Sequence, residues 1–178
     1  MEIGKGKRGN RLALRICLSI FPFPFSHELE MALRITEELA ARLRAHGARK
    51  YPHECCGALL GRDAGSGREV LDIVPLENRR DDSPRNRFAL TAHDVREAER
   101  IARERGLDVI GWYHSHPDHP ARPSEFDREH AWPWYSYVIV SIVAREPREI
   151  SSWRLADDRS RFDSEEMDVD ARAAAVHL

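Results

Sequence analysis

Cysteine is scarce in this chain. Cys17, Cys55 and Cys56 form no even set from which a disulfide framework could be built, so a reducing, cytoplasmic setting is expected. Long apolar runs are also missing. The best candidate, Ile16 to Phe25, covers ten positions and is broken by Pro22 and Pro24, far short of the roughly 20 residues a membrane helix needs. Neither sign of charge dominates, with 28 Lys and Arg against 30 Asp and Glu, a formal net charge of -2. Arginine greatly outnumbers lysine, but it alternates with acids, as in Arg96-Glu97-Ala98-Glu99-Arg100, the mark of a paired helix surface. No basic stripe interleaved with aromatics is present, so neither nucleic acid nor a membrane surface is an expected partner. The 178 residues, 42% of them hydrophobic, make one domain with a real core and leave no room for a second catalytic unit.

Residues 1–30 place Lys5, Lys7, Arg8 and Arg11 ahead of the apolar stretch, a superficial likeness to a secretory signal. Arg15 splits the run, and no small-residue cleavage site precedes Ser26-His27-Glu28. This segment is expected to be a disordered or mis-assigned leader, with the folded domain occupying 31–178.

From Met31 the chain reads as alternating strands and helices. A short strand over Leu33 to Thr36 precedes a helix from Glu37 to Lys50, whose Leu39 and Leu43 continue a buried stripe begun at Ile35. Pro52 ends that helix, and Cys55 to Leu60 reads as a buried strand closed by Gly61. After a turn over Asp63 to Gly67, strands are expected at Val70 to Leu76 and Arg87 to Leu90, separated by a charged candidate flap from Glu77 to Asn86. Thr91 and Asp94 suit a capping box for a helix with Val95, Ala98, Ile101 and Ala102 inward, stopped by Gly106. Leu107 to Tyr113 is the next expected strand.

It delivers His114-Ser115-His116-Pro117, followed by Pro123-Ser124-Glu125-Phe126-Asp127. Residues two apart in an extended chain share a face, so His114 and His116 can aim at one point just past the strand end, where Pro117 stops it. Ser124 suits a helix N-cap, which puts Asp127 in the first turn with its carboxylate turned back toward the histidines. Two histidines and one carboxylate suit zinc and leave a fourth position open for water, the feature that separates catalytic from structural zinc.

Each part alone has an ordinary reading. A His-x-His pair occurs on many exposed loops, Ser124-x-x-Asp127 doubles as a capping motif, and Glu54 alone would be a solvated strand entrance. Cys55 and Cys56 point to opposite faces of a strand and read as small core residues rather than as ligands. His114, His116, Asp118 and His119 also spell the His-x-His-x-Asp-His pattern of metallo-β-lactamases, but downstream only His130 and His177 remain as further ligands.

Taken together, Glu54 ahead of an apolar strand, the His-Ser-His-Pro segment, and Asp127 with Ser124 three residues before it resemble the JAMM (MPN-plus) zinc peptidases. The resemblance runs from about Met31 to at least Trp153. It includes Tyr51-Pro52-His53-Glu54-Cys55-Cys56-Gly57 and Gly111-Trp112-Tyr113-His114-Ser115-His116-Pro117, and in its compact form is most similar to bacterial members acting on ubiquitin-like sulfur carriers. It implies an α+β fold, a curved mixed sheet packed against long helices with cytidine-deaminase-like layering. It also implies one Zn2+ held by His114, His116 and Asp127, with Glu54 as proton shuttle and Ser124 as oxyanion donor. Ser115 is then structural, helping to orient a ligand. The implied reaction is amide hydrolysis at the C-terminal glycine of a ubiquitin-like sulfur-carrier tail. A homodimer is allowed. A non-catalytic scaffold of the same fold would lack one or more of these residues.

Overall fold

The computed structural model describes residues 32–65, 67–77 and 90–171. The expected leader, and the flap beyond Glu77, lie outside the described residues, as do Arg87 to Ala89 of the strand expected there; Leu90 itself is not in a strand. Strand β1 (Leu33–Thr36) runs straight into helix α1 (Glu37–Lys50) through Thr36, whose hydroxyl accepts the Leu39 N–H at 3.3 Å. Glu37 and Glu38 in the first turn and Arg49 and Lys50 in the last complement the helix dipole. Strands β2 (Cys56–Asp63) and β3 (Arg68–Leu76) follow, then α2 (Ala92–Glu104), opened by the Thr91–Asp94 capping box and closed by Gly106 at φ +65°. Strand β4 (Asp108–Pro117), the short helix α3 (Glu125–His130), and strands β5 (Ser136–Val143), β6 (Glu146–Leu155), β7 (Phe162–Glu165) and β8 (Met167–Asp170) complete the order.

The described strands form one mixed sheet in the order β7-β6-β5-β4-β2-β3-β1-β8. Pairs β1/β3, β1/β8 and β4/β5 are parallel and the rest antiparallel. β7 and β8 occupy opposite edges, yet Glu166 alone separates them in sequence. One residue spans at most about 3.6 Å, so the sheet must curl until its edges meet. Register shifts at Leu59/Leu60 and Leu60/Gly61 on β2 and at Val140/Ile142 on β5 supply the bends. A buried polar chain closes the seam. Arg68 donates to Asp63 at 3.1 Å and to Ser136 at 3.0 Å, while Ser136 and Ser152 donate to the two Glu165 oxygens at 3.0 and 2.6 Å.

Helix α1 lies inside the curl, where Leu39, Ala40 and Leu43 meet Ile35, Tyr113, Val138 and Val140. Helix α2 packs on the outer face over β2 and β4, burying Ala98 and Ala102 against Ala58, Leu60 and Trp112. The expected long helices are corrected here: α1 has 14 residues, α2 13 and α3 six. A helix enclosed by a curled sheet needs only to cross it, and Thr36 and Pro52 bound α1 at that length. β2 runs on through Gly61 rather than ending there. A Cβ at that position would lie 1.9 Å from the Glu69 carbonyl oxygen, so glycine lets β2 and β3 approach at the bulge. Pro117 likewise ends β4 from within, since pairing with β5 continues to Pro117↔Ile142 and Asp118 N–H donates to the Ile142 carbonyl at 2.7 Å.

Candidate metal centre

Strand β4 passes through the middle of the sheet, and its alternation decides the site. Trp112, His114 and His116 face the outer side with α2 and α3, while Tyr113 and Ser115 face α1. The histidines are therefore strand residues, His114 paired on both sides with Cys56 and Ile139 and His116 on one side with Ser141, and not loop residues beyond the strand. Ser124 caps α3, and the reciprocal capping box brings Asp127 N–H to Ser124 Oγ at 3.2 Å and Ser124 N–H to Asp127 Oδ2 at 2.7 Å. Asp127 is thereby turned toward the histidines.

The three side chains converge. His114 Nε2 and His116 Nε2 lie 2.9 Å apart, and Asp127 oxygens lie 3.3 Å from the first and 3.6 Å from the second. All three are buried, and among the described residues they form the group whose donor atoms, within 4.8 Å of one another, could hold a metal ion. The donor set fits such an ion. His116 Nδ1 faces the Pro120 carbonyl at 3.0 Å, which leaves Nε2 as the free donor, and Asp127 Oδ1 is the oxygen not engaged by the capping box. Burial lowers the His114 pKa against the pull of Asp127, keeping the ring neutral as a ligand must be. Burial would by itself raise Asp127, but the facing rings of His114 and His116 and the Ser124 hydroxyl outweigh it and hold the carboxyl below the usual range.

Glu54 lines a cleft of about 270 Å³ with His116, His119, Pro120, Arg122 and Ser124. It is 5% exposed, and burial, followed by the Asp127 charge, pushes its carboxyl up to about 9, well past neutrality. Ser115 does not orient a ligand directly. Its Oγ accepts Cys55 N–H at 2.9 Å and its own N–H donates to Cys55 O at 3.1 Å, so it pins the segment that carries Glu54. Cys55 faces the α1 core, and Cys56 is buried with its thiol toward the Leu76 carbonyl at 3.8 Å; neither joins the metal group.

Two residues that pattern reading did not single out for the site complete its frame. Tyr51 Oη donates to Asp118 Oδ2 at 3.0 Å, and Asp118 Oδ1 accepts Ala144 N–H at 3.0 Å, with Asp118 at φ +57°. This brace joins the segment before Glu54, the turn after His116 and the β5–β6 turn. It also explains the lactamase-like pattern, since Asp118 serves the brace, and neither it nor His119 belongs to the His114–His116–Asp127 group. His130 stacks on Phe126 at 4.0 Å, and His177 lies outside the described residues. The signal for Asp118 was present in the phrase Pro117-Asp118-His119-Pro120, a turn with an Asx side chain.

Fold and site together define a class: an α+β protein with one large curled mixed sheet, few short helices and a buried His-His-Asp group able to hold a metal. The chain belongs to the prokaryotic homologs of the JAB domain, whose family model matches residues 36–156. Membership in the JAMM family, expected from the motif, is thereby borne out. Desampylase of Haloferax volcanii is 32% identical over 121 residues, covering 67% of this chain and 85% of that protein. A Thermus thermophilus protein described as "probable TtuB-protein conjugate cleaving protease" is 33% identical over 109 residues, 61% of this chain and 70% of that one. Among solved structures, a Salinibacter ruber protein is 43% identical with a TM-score of 0.62, covering 82% of this chain and 95% of its own. No helix among the described residues is long and apolar enough to cross a membrane.

Proposed function

We propose that this chain is a zinc-dependent peptidase or isopeptidase that hydrolyses the amide at the C-terminal glycine of a ubiquitin-like sulfur-carrier protein. The observation that carries the reading is the buried Glu54, with its raised pKa, in one cleft with His116 and beside the His-His-Asp group. The Thermus relative, described as a probable protease that cleaves a protein conjugate, and the Haloferax desampylase support the substrate class.

His114, His116 and Asp127 would hold the zinc, which when bound polarises a scissile carbonyl and lowers the pKa of a water. Glu54 takes a proton from the attacking water and delivers one to the departing nitrogen. Burial raises its basicity for the first step, and a cation held by His114, His116 and Asp127 would favour its ionised form and offset part of that rise. Ser124 lines the cleft as the oxyanion donor. Its hydroxyl donates to Asp127 Oδ2 at 2.7 Å, but that oxygen also receives Ser124 N–H, so the hydroxyl can turn to the substrate while still accepting Asp127 N–H. A diglycine tail suits the reading because glycine allows close backbone approach to a buried centre.

The test is cleavage by zinc-loaded enzyme of a ubiquitin-like protein with its tail ending in Gly-Gly, set beside Ala-Ala and Val-Val versions. Strong preference for Gly-Gly is expected. Equal rates on all three tails, or faster cleavage of unrelated unfolded proteins, would leave only a general zinc peptidase. Protein that purifies without stoichiometric zinc and is indifferent to chelator would be a scaffold instead.

A further inference from the structure

Trp112 stands two residues before His114 on the same face of β4, and α3 carries Asp127 against that face, yet strand and helix do not pack flush. Between them lies a pocket of about 140 Å³. Trp112 of β4 and Tyr137 of β5 form one wall, and Phe126, Asp127, His130 and Ala131, from α3 and its C-cap, form the other. The pocket therefore separates the strand that supplies two members of the His-His-Asp group from the helix that supplies the third. It shares no lining residue with the cleft of Glu54.

Most polar groups of its walls are already spent, and no lysine or arginine lines it. Tyr137 Oη accepts Trp132 N–H at 2.7 Å and donates to Trp132 O at 3.1 Å. Asp127 Oδ2 accepts Ser124 N–H at 2.7 Å, Asp127 Oδ1 faces His114 Nε2 at 3.3 Å, and His130 Nδ1 faces Phe126 O at 2.9 Å. Trp112 Nε1–H remains, buried and without an acceptor among the described residues. A buried donor left unpaired destabilises the fold. Water is a poor remedy, because a buried water takes about three hydrogen bonds and the buried wall offers it one. An apolar cavity of about 150 Å³ holds benzene, so the space matches a single ring.

We propose that this pocket binds a small neutral molecule, one aromatic ring bearing an oxygen acceptor for Trp112 Nε1–H, and that its occupant tightens the metal centre. An anion finds no lysine or arginine there, and a cation would sit beside a metal-loaded Asp127. The ring fills the gap between β4 and α3 and so fixes Asp127 against the histidines. Helix α3 has six residues, and besides its capping box it is tied by surface bonds, Arg128 to Arg159 O at 2.8 Å and Arg159 to Glu129 O at 3.2 Å. The binding itself does not depend on the peptidase reading.

The test uses the full chain and four probes: anisole, its isostere ethylbenzene, which lacks the oxygen, benzoate and benzylammonium. In zinc-free protein the Trp112 indole N–H resonance should shift saturably with anisole, and the dissociation constant should be about fivefold below that of ethylbenzene, the worth of one hydrogen bond. Neither ion should bind. In Trp112→Phe the preference for anisole should vanish. Ala131→Leu, which fills the pocket, should bind none of the four and should itself hold zinc more tightly. By linkage, saturating anisole should tighten zinc about threefold in the wild type and leave Ala131→Leu unchanged, read by competition with a chelating dye. No saturable shift with anisole, equal affinity for anisole and ethylbenzene, or a preference retained in Trp112→Phe overturns the ligand site. A shift with zinc affinity unchanged overturns the coupling. None of these readouts uses turnover, so a failure of the peptidase reading would show in the cleavage assay alone.

Discussion

The two faces of β4 have been put to opposite uses. Toward α1 it presents Tyr113 and Ser115 to an apolar interior where polar atoms are few and paired: Tyr113 Oη meets His46 Nδ1 at 2.9 Å, and Ser115 meets Cys55 N–H. Toward α3 the same strand presents His114 and His116, whose nitrogens crowd one another and a carboxylate. The α1 side is saturated by its own partners, whereas the α3 side converges on a point that a cation would satisfy. A single strand can do both because its side chains alternate, and the dry face holds the strand still while the other works.

Removing the point of convergence should have the largest effect. His114→Ala or Asp127→Ala is expected to lose bound zinc and hydrolysis together, whereas Glu54→Gln keeps zinc and slows turnover by about 10²–10⁴-fold. Elemental analysis beside the rate assay decides it; a normally folded but zinc-free Glu54→Gln protein would make Glu54 a ligand. The opposite face should respond in stability alone. Leu43→Ala removes a fully buried side chain and should cost about 2–5 kcal/mol in denaturant unfolding, with zinc per folded molecule unchanged.

A pH series sharpens the contrast on the dry face. Burial, aided by Arg49 and Lys50, lowers the His46 pKa to about 4 from its ordinary 6.5. Between those values the unfolded chain binds a proton that the folded one refuses, so stability is complete above about 6.5 and is lost as pH falls toward 4, by up to about 3 kcal/mol. The difference between wild type and His46→Gln, both zinc-loaded, should shrink by that amount across the window; a difference that does not vary with pH would show that His46 titrates alike in the folded and unfolded states. The smallest effect is expected at the brace. Tyr51→Phe removes one hydrogen bond to Asp118, worth about 1 kcal/mol. It should lower kcat more than it changes KM, with zinc retained, because the brace sets where Glu54 stands. An unchanged kcat would reduce Tyr51 to a fold residue.

The chain's own pattern was enough to identify some of these parts. Period-two spacing put His114 and His116 on one face, the Ser124-x-x-Asp127 phrase started α3 and turned its aspartate inward, and Thr91 with Asp94 opened α2, because capping and alternation are local rules that hold wherever the chain goes. The run Ser136 to Val143 is equally plain as a buried strand in retrospect. What only the tertiary structure decided is everything that depends on distant segments meeting. The curl of the sheet follows from β7 and β8 reaching opposite edges across Glu166, which no local signal announces. The burial that raises Glu54, the service of Ser115 to Cys55, and the brace from Tyr51 to Asp118, 67 residues away, likewise exist only once the sheet has closed around α1. Local rules choose a residue's direction, but desolvation and partnership are properties of the packed molecule, and it is those that hold the Glu54 carboxyl far above its ordinary range.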